Sequence, residues 1–487
     1  MSSEVGSGSE ARKGHRLLRR IGWVLLATAL SATSFAGLAF AGVSASMADS
    51  FAAAPRGSGA RAWPAARPVP PGRITVAVAV GNAGSVATDV LAPYQVFAES
   101  REMFVYTVAA ERRVSPLSGG AHLLPDHTLA EVADGTLPEP DVVVVPAVTD
   151  PTGAGEEGLR RWIVERHRKG ARILGVCAGS ELLAASGLLD GRDATSFWSN
   201  IGSLERRYPK VNWKRGQRYV EDGRVTTTAG VTSGTVGALR VVEELAGETE
   251  ATRIGTGLSY PGWTPDGPTA IPANHLALGD LPYALNAAFP WLRPTTAIGL
   301  VDGVEEVDAA AAVEGYGGVS FATRTVVVGA GDTVTTRHGL VLVTRPATGD
   351  AHGADRFVVP GVREASGLGT ALSGWARRNG LTTELPDEGR RSGEFGFDPV
   401  LRDLAEHSDR RTALATAKFS EYPSAHLELT GAPWPWRSTL LAGATVVLSV
   451  GVGLAPTATR RAMRRRRLPQ MVPGPPRGVR AHGNGLS

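Results

Sequence analysis

The chain has 487 residues, 43% of them hydrophobic, with 60 glycines, a single cysteine and a formal net charge of +4. That content is too apolar for a disordered chain, and one cysteine excludes an intramolecular disulfide framework and any Cys-rich zinc site. Residues 1–20 carry five basic and two acidic groups and residues 460–487 carry eight arginines and no acid, which leaves −7 for everything between. The basic balance is therefore a property of the two ends and gives no argument for nucleic-acid binding by the central part.

The basic residues 1–20 are followed by an uncharged run from Ile21 to Met47. It exceeds the ~20 residues needed to cross a bilayer, so a transmembrane helix or signal anchor is expected. Ser44-Ala45-Ser46 resembles a signal-peptidase site, so a cleaved signal peptide is the alternative; the length of the run favours the anchor. Residues 48–72, rich in Ala, Pro, Gly and Arg, read as a linker. Apolar strands then alternate with helices: strands at Arg73–Val80, Met103–Val108 and Asp141–Pro146, helices at Val86–Ser100 and Glu156–Lys169. The alternation continues through Asp193–Ser196, Ser199–Arg207, Arg224–Thr228 and Ser233–Leu245. It implies a parallel sheet with helices on both faces and a site at the carboxyl ends of its strands.

That edge receives Cys177. Arg172-Ile173-Leu174 runs into Gly175-Val176-Cys177-Ala178-Gly179, and a helix-forming stretch follows at once. Small residues around a nucleophile permit the strained turn that lifts its side chain off a sheet, and a helix N-terminus favours a thiolate. The alternative is a buried cysteine closing a core strand.

Thr88-Asp89, Ala92-Pro93, Val96-Phe97, Val144-Val145-Pro146 and the Cys177 turn together resemble the DJ-1/PfpI family of the class I glutamine amidotransferase-like superfamily. Leu182 to Thr195, Arg207-Tyr208-Pro209, Val220 to Val225 and Thr228-Ala229-Gly230 extend the match over about residues 73–247. The branch it resembles best comprises the sensing half of AraC-type regulators and the isonitrile hydratases. The resemblance implies a flavodoxin-like fold over residues 73–250, with Cys177 and Asp89 as the catalytic pair. Ala178, Ala147 and Val148 are then the oxyanion or ligand-binding candidates. Two departures stand out. Phe197 lies where family members place a histidine, which removes the Cys–His base, and Ala147-Val148 replaces the family's Gly pair. His122 and His127, expected in a loop near Pro125-Asp126, are the remaining candidates to reach the site, although such histidines are more often solvated. Glu181 is expected to be a surface carboxylate.

After a connector at residues 251–293, Thr296–Val301, Asp308 and Phe357–Gly361 echo Val76–Val80, Asp89 and Val143–Ala147. The offset is 219 for Asp89 and Asp308 and 214 for Pro146 and Pro360. Residues 294–432 thus read as a degenerate second α/β copy without a cysteine, packed on the first as a pseudo-dimer or leaving room for a homodimer. Phe395–Tyr422 is expected to be helical. A second apolar run, residues 438–459, follows Trp434-Pro435-Trp436-Arg437 and precedes the basic tail 460–487. With an arginine cluster on the terminal side of each run, the positive-inside rule puts both termini in the cytoplasm and the middle outside the cell membrane. No histidine spacing suggests a metal, and no cofactor is expected.

Two functions stay open. One is small-molecule binding or oxidant sensing through Cys177; the other is a cysteine-dependent hydrolase, hydratase or glyoxalase-like activity. Transcriptional regulation is disfavoured, because the sequence offers no helix-turn-helix and the domain would lie away from DNA.

Overall fold

The computed structural model describes residues 7–54, 63–351 and 353–466; the far ends of the basic termini and part of the linker lie outside them. The described residues fall into two compact units, one made of those up to Ala39 and from Ala442 onward, the other of those between Phe40 and Leu441.

In the first unit the uncharged runs are helical. Helix α1 covers Ser7–Ser50, and its Leu17–Ser50 portion is long and apolar enough to cross a membrane, as is Trp436–Pro456 of the last helix. The two helices approach closely: a Cβ on Gly453 would collide with Ser31 Oγ and the Ala27 carbonyl. The absence of a Cβ at Gly453 is what permits that approach. Helix α1 continues past the expected Met47 because its last turn has tertiary partners. Ser46 Oγ donates to the Ala287 carbonyl at 2.7 Å, and Ser50 Oγ accepts from the Gly119 N–H at 3.0 Å.

In the second unit the strand run at residue 73 becomes β1 (Ile74–Ala79), followed by α2 (Ala87–Ala98) and β2 (Met103–Ala109). Then come β3 (His122–Leu124), β4 (His127–Thr128), β5 (Val142–Val145) and α3 (Glu157–Arg168). The elbow joins β6 (Arg172–Gly175) to α4 (Gly179–Ala185), and β7 (Tyr219–Asp222), β8 (Val225–Thr228) and α5 (Ser233–Ala246) complete the first copy. The sheet order is β4-β2-β1-β5-β6-β8-β7, parallel except for the β7–β8 hairpin. This is the flavodoxin-like order, and its direction reverses between β1 and β5. Asp193–Ala194 departs from expectation: it pairs with Asn212–Trp213 in a separate two-stranded sheet. The main sheet is closed on that side by the hairpin instead.

The connector at 251–293 is not bare: the end of Glu248–Leu258 and all of Leu281–Ala288 are helical. Beyond it, β9 (Thr295–Leu300), α6 (Glu306–Val313), β10 (Arg324–Gly329), β11 (Val341–Val343), β12 (Arg345–Pro346), β13 (Arg356–Val358) and β14 (Thr383–Glu384) follow. Their sheet, β12-β10-β9-β13-β14, repeats the order β4-β2-β1-β5-β6 strand for strand. After β14 a turn replaces the elbow helix, and the chain ends its second copy in α7 (Phe397–His407) and α8 (Arg410–Phe419). The last helix is α9 (Trp436–Arg466).

The copies face each other through α2 and α6 about a local pseudo-twofold. Glu314 Oε1 accepts from the Ala87 N–H at 3.0 Å, capping α2, while Gln95 Oε1 accepts from the Val307 N–H at 2.8 Å, capping α6. Gln95 and Glu314 are 219 residues apart, the offset already seen at Asp89 and Asp308. Antiparallel pairing joins β3 to β11, with Leu123 opposite Leu342, again 219 residues apart. Gly119 lies in the seam at φ 68, where any Cβ would collide with the Val313 carbonyl. One continuous apolar core includes Val90, Tyr94 and Phe97 from the first copy and Val307, Tyr316 and Phe397 from the second. At roughly 25 cal/mol per Å² of apolar surface, burial of all of α6 and of Ala87–Phe97 in α2 stabilises this unit.

Candidate functional site

Cys177 leaves β6 with φ 55, a left-handed conformation that a non-glycine residue adopts only when its surroundings impose it. Those surroundings are identifiable. A Cβ on Gly179 would collide with the Val145 carbonyl, so the turn closes onto β5 only with glycine there. The Cys177 N–H donates to Thr228 Oγ1 at 3.4 Å, and its carbonyl accepts from Ser180 Oγ at 3.0 Å and Ser196 Oγ at 3.3 Å. The expected strand–elbow–helix is present, at the carboxyl edge of the sheet.

Asp89, in the first turn of α2, is fully buried. Its Oδ2 accepts from the Ala147 N–H at 3.0 Å, and its Oδ1 has no hydrogen-bond partner. Burial pushes its carboxyl well above the usual range; the Ala147 N–H opposes this and Glu314 adds to it. Ala147, an oxyanion candidate, therefore already spends its N–H on Asp89, and its carbonyl accepts from the Val86 N–H. Val148 is buried in a bridge with Ser85. Ala178 keeps its N–H toward the Cys177 sulfur, where it favours the thiolate.

The electrostatic balance contradicts the thiolate expected from the helix N-terminus. Cys177 is only 5% exposed, and burial, then Asp89, push its thiol well above the ordinary value. Glu421 and Glu314 push the same way, and the single N–H of Ala178 is outweighed. Three carboxyls thus act on one thiol.

Neither histidine candidate sits in a loop, and neither is solvated. His122 lies in β3 with Nε2 2.9 Å from the Ala52 carbonyl, and His127 lies in β4 with Nε2 3.3 Å from the Arg67 carbonyl. Both are buried and tie down the segment entering the fold. Among the described residues no histidine is hydrogen-bonded to Cys177. Phe197, at the position where the family resemblance expects a histidine, packs on Trp198 and Phe419 with ring centroids 5.6 and 6.2 Å away. Glu181, expected at the surface, has a side chain only 13% exposed and pairs with Arg207 from the first turn of α4.

Glu421, which no sequence signal marked, comes from the loop after α8. Its Oε2 accepts from the Gly230 N–H at 2.6 Å and from Ser233 Oγ at 3.4 Å, and its Oε1 accepts from the Trp198 N–H at 3.4 Å. Burial raises its carboxyl to about 7 despite those donors. The neighbouring Ser420 carbonyl accepts from the Thr232 N–H and Oγ1, both at 3.0 Å, so the second copy straps the first beside its cysteine.

In the second copy Asp387, in the turn after β14, takes the elbow place of Cys177. Its Oδ2 accepts from the Gly361 N–H at 2.7 Å, and Arg390 bridges it to Asp308, at 2.9 and 2.8 Å. A cavity of about 410 Å³ opens there, lined by Asp308, Arg390, Arg363 and Phe395 among others. This copy therefore holds an ion-paired triad where the first holds a thiol. Two His–carboxylate groups, Glu99/Glu305/His338 and Glu384/Asp403/His407, have ligand atoms within 4.8 Å of one another. In the first, burial opposes charge on His338, but the hydrogen bonds it donates to Glu306 and Glu99 outweigh this and raise its pKa to about 9, which favours the cationic ring.

Residues 74–244 match the DJ-1/PfpI family. Protein dj-1beta of Drosophila melanogaster is 31% identical over 155 residues, which cover 30% of this chain and 80% of that protein. The chain belongs to the DJ-1/PfpI family. The isonitrile hydratase of Pseudomonas putida is 28% identical over 184 residues, 35% of this chain and 72% of the hydratase. The HTH-type transcriptional regulator CdhR of Pseudomonas aeruginosa is 31% identical over 118 residues, 23% of this chain and 35% of the regulator. This DJ-1/PfpI chain thus spans about a third of the regulator it matches.

Proposed function

We propose that this is a membrane-anchored DJ-1/PfpI protein that binds a small molecule or senses oxidants through Cys177, with its central residues outside the cell membrane and both termini in the cytoplasm. The observation that carries the reading is the Cys177 elbow itself, buried and kept at φ 55, while Phe197 packs on Phe419 and Glu421 of the second copy is anchored to the Gly230 N–H. A site kept in strained form but closed fits a responsive thiol better than continuous turnover. The second copy acts as an intramolecular partner, capping α2 and strapping the elbow.

Peroxide treatment of the full chain in detergent tests the sensing role. The sulfur attacks one peroxide oxygen, the O–O bond breaks and water leaves, giving the sulfenic acid; a second peroxide, reacting in the same way, carries it to the sulfinic acid. Slow, site-specific oxidation of Cys177 in peptide mass spectra is expected; a Cys177 that stays reduced throughout overturns the reading. Alkaline phosphatase fused after residue 250 should be active if the centre is outside the membrane.

The similarity to an isonitrile hydratase over 72% of that enzyme's length favours a second reading, cysteine-dependent hydration of an isonitrile. It requires turnover by the wild type that disappears in Cys177→Ser. Without a general base the rate should fall short by ~10²–10⁴-fold.

A further inference from the structure

The strap residue Glu421 occupies a backbone position that ordinarily calls for glycine. Helix α8 ends in a Schellman motif: the Tyr422 N–H donates to the Ala417 carbonyl at 2.8 Å and the Glu421 N–H to the Lys418 carbonyl at 3.0 Å. The residue between the cap and Tyr422 must then be left-handed, and Glu421 has φ 50. A glutamate there sacrifices backbone comfort to place its carboxyl. The receiving cradle is built for that carboxyl. Each oxygen meets a backbone N–H, the Ser233 hydroxyl adds a third donor, and all of them cluster at the N-terminus of the 14-residue helix α5. Gly230 leaves the room, since a Cβ on it would stand 2.9 Å from Glu421 Cγ. The indole Nε1 of Trp198, a residue 9% exposed, and the fully buried Ser420 Oγ have no hydrogen-bond partner, so the residue that supplies one cradle donor and the residue before Glu421 each keep an unspent polar atom. Ser196 and Thr228, each two residues from a cradle donor, hydrogen-bond the backbone of Cys177.

We propose that the cradle of the Gly230 and Trp198 N–H groups and the Ser233 hydroxyl is a binding subsite for the carboxylate of a small molecule, filled in this closed form by the chain's own Glu421. The proposal rests on the reading of Cys177 as a sensing site and names the chemistry of what it senses. A carboxylate ligand competes with Glu421, lifts the strap and uncovers the thiol.

Alkylation of the full chain in detergent with iodoacetamide and with iodoacetate, at one fixed pH, tests it. Both reagents form an Sγ–C bond, release iodide and leave the thiol proton to the buffer, but only iodoacetate carries a carboxylate. In the wild type Cys177 should react slowly with both. Glu421→Gly removes the carboxyl and suits the left-handed position, so the variant should fold, as thermal unfolding will verify. In it both reactions should accelerate. The iodoacetate-to-iodoacetamide rate ratio should also rise about tenfold or more over that of the denatured chain, as charge-assisted hydrogen bonds to the reagent predict. A ratio equal to that of the denatured chain, or no acceleration, overturns the subsite. Failure of the sensing reading would be seen separately, in a Cys177 that peroxide never oxidises.

Discussion

At the scale of single residues, the carboxyl groups around Cys177 set its behaviour. Glu314 is fully enclosed, and burial holds its pKa up at about 7 against donors that include the Ser118 hydroxyl and the Ala87 N–H. Between the ordinary carboxylate range and that value, the folded protein keeps a proton that the unfolded chain has released. Stability contributed by the protonated form is therefore present at low pH and lost as pH rises toward 7. Glu314→Gln keeps an oxygen for the Ala87 N–H and cannot ionise, the arrangement that Gln95 already provides at the other helix. Its expected effect is a flatter dependence on pH and a gain of about 1–3 kcal/mol at pH 8, read by thermal unfolding at pH 5 and 8. Equal changes at both pH values would show that ionisation of Glu314 is not the destabilising factor. Cys177 follows the opposite chemistry: its raised thiol should alkylate slowly near neutrality and faster as pH increases, in contrast to a thiolate lowered by a helix N-terminus.

At the scale of elements, equivalent turns in the two copies have diverged. The β6–α4 elbow keeps a thiol under backbone strain, whereas the turn after β14 holds Asp308 and Asp387 through Arg390. Burial raises the Asp308 carboxyl to about 6, with Arg390 pulling it down and Asp387 pushing it up. Arg390→Met would leave two buried carboxylates side by side, and breaking a buried pair from one side costs about 3–5 kcal/mol. Denaturant unfolding should show a loss of about 3 kcal/mol at pH 8 that shrinks at pH 5, because protonation of Asp308 removes the uncompensated charge. A pH-independent loss would point to packing of the Arg390 stem instead.

At the scale of the whole molecule, the second copy completes the first. Helix α2 is buried along nearly its whole length, packed on α5 within its own copy and on α6 across the seam. Residues 63–250 expressed alone would expose the α6-facing side of α2 and the β3 edge. They should self-associate, with sedimentation velocity reporting a dimer or larger species. A stable, well-folded monomer would show that the second copy is not needed to cover that surface.

The local patterns of this chain determined a good deal by themselves. Short β-branched apolar runs bounded by turn residues read as central strands, two uncharged runs are long enough for membrane spans, and Gly-Val-Cys-Ala-Gly between a strand and a helix makes an elbow. The repeat was also legible, because Asp89 and Asp308 keep their spacing from equivalent strands. The reach of the side chains was not. That His122 and His127 turn to backbone carbonyls, that Ala147 spends its N–H on Asp89, and that Glu421 meets Gly230 across 191 residues of chain are all settled by packing. Contacts between distant segments leave no periodicity in the sequence. For Cys177 the difference is decisive: the sequence places it at a helix N-terminus that favours a thiolate, and the fold surrounds it with buried carboxyls that favour the thiol.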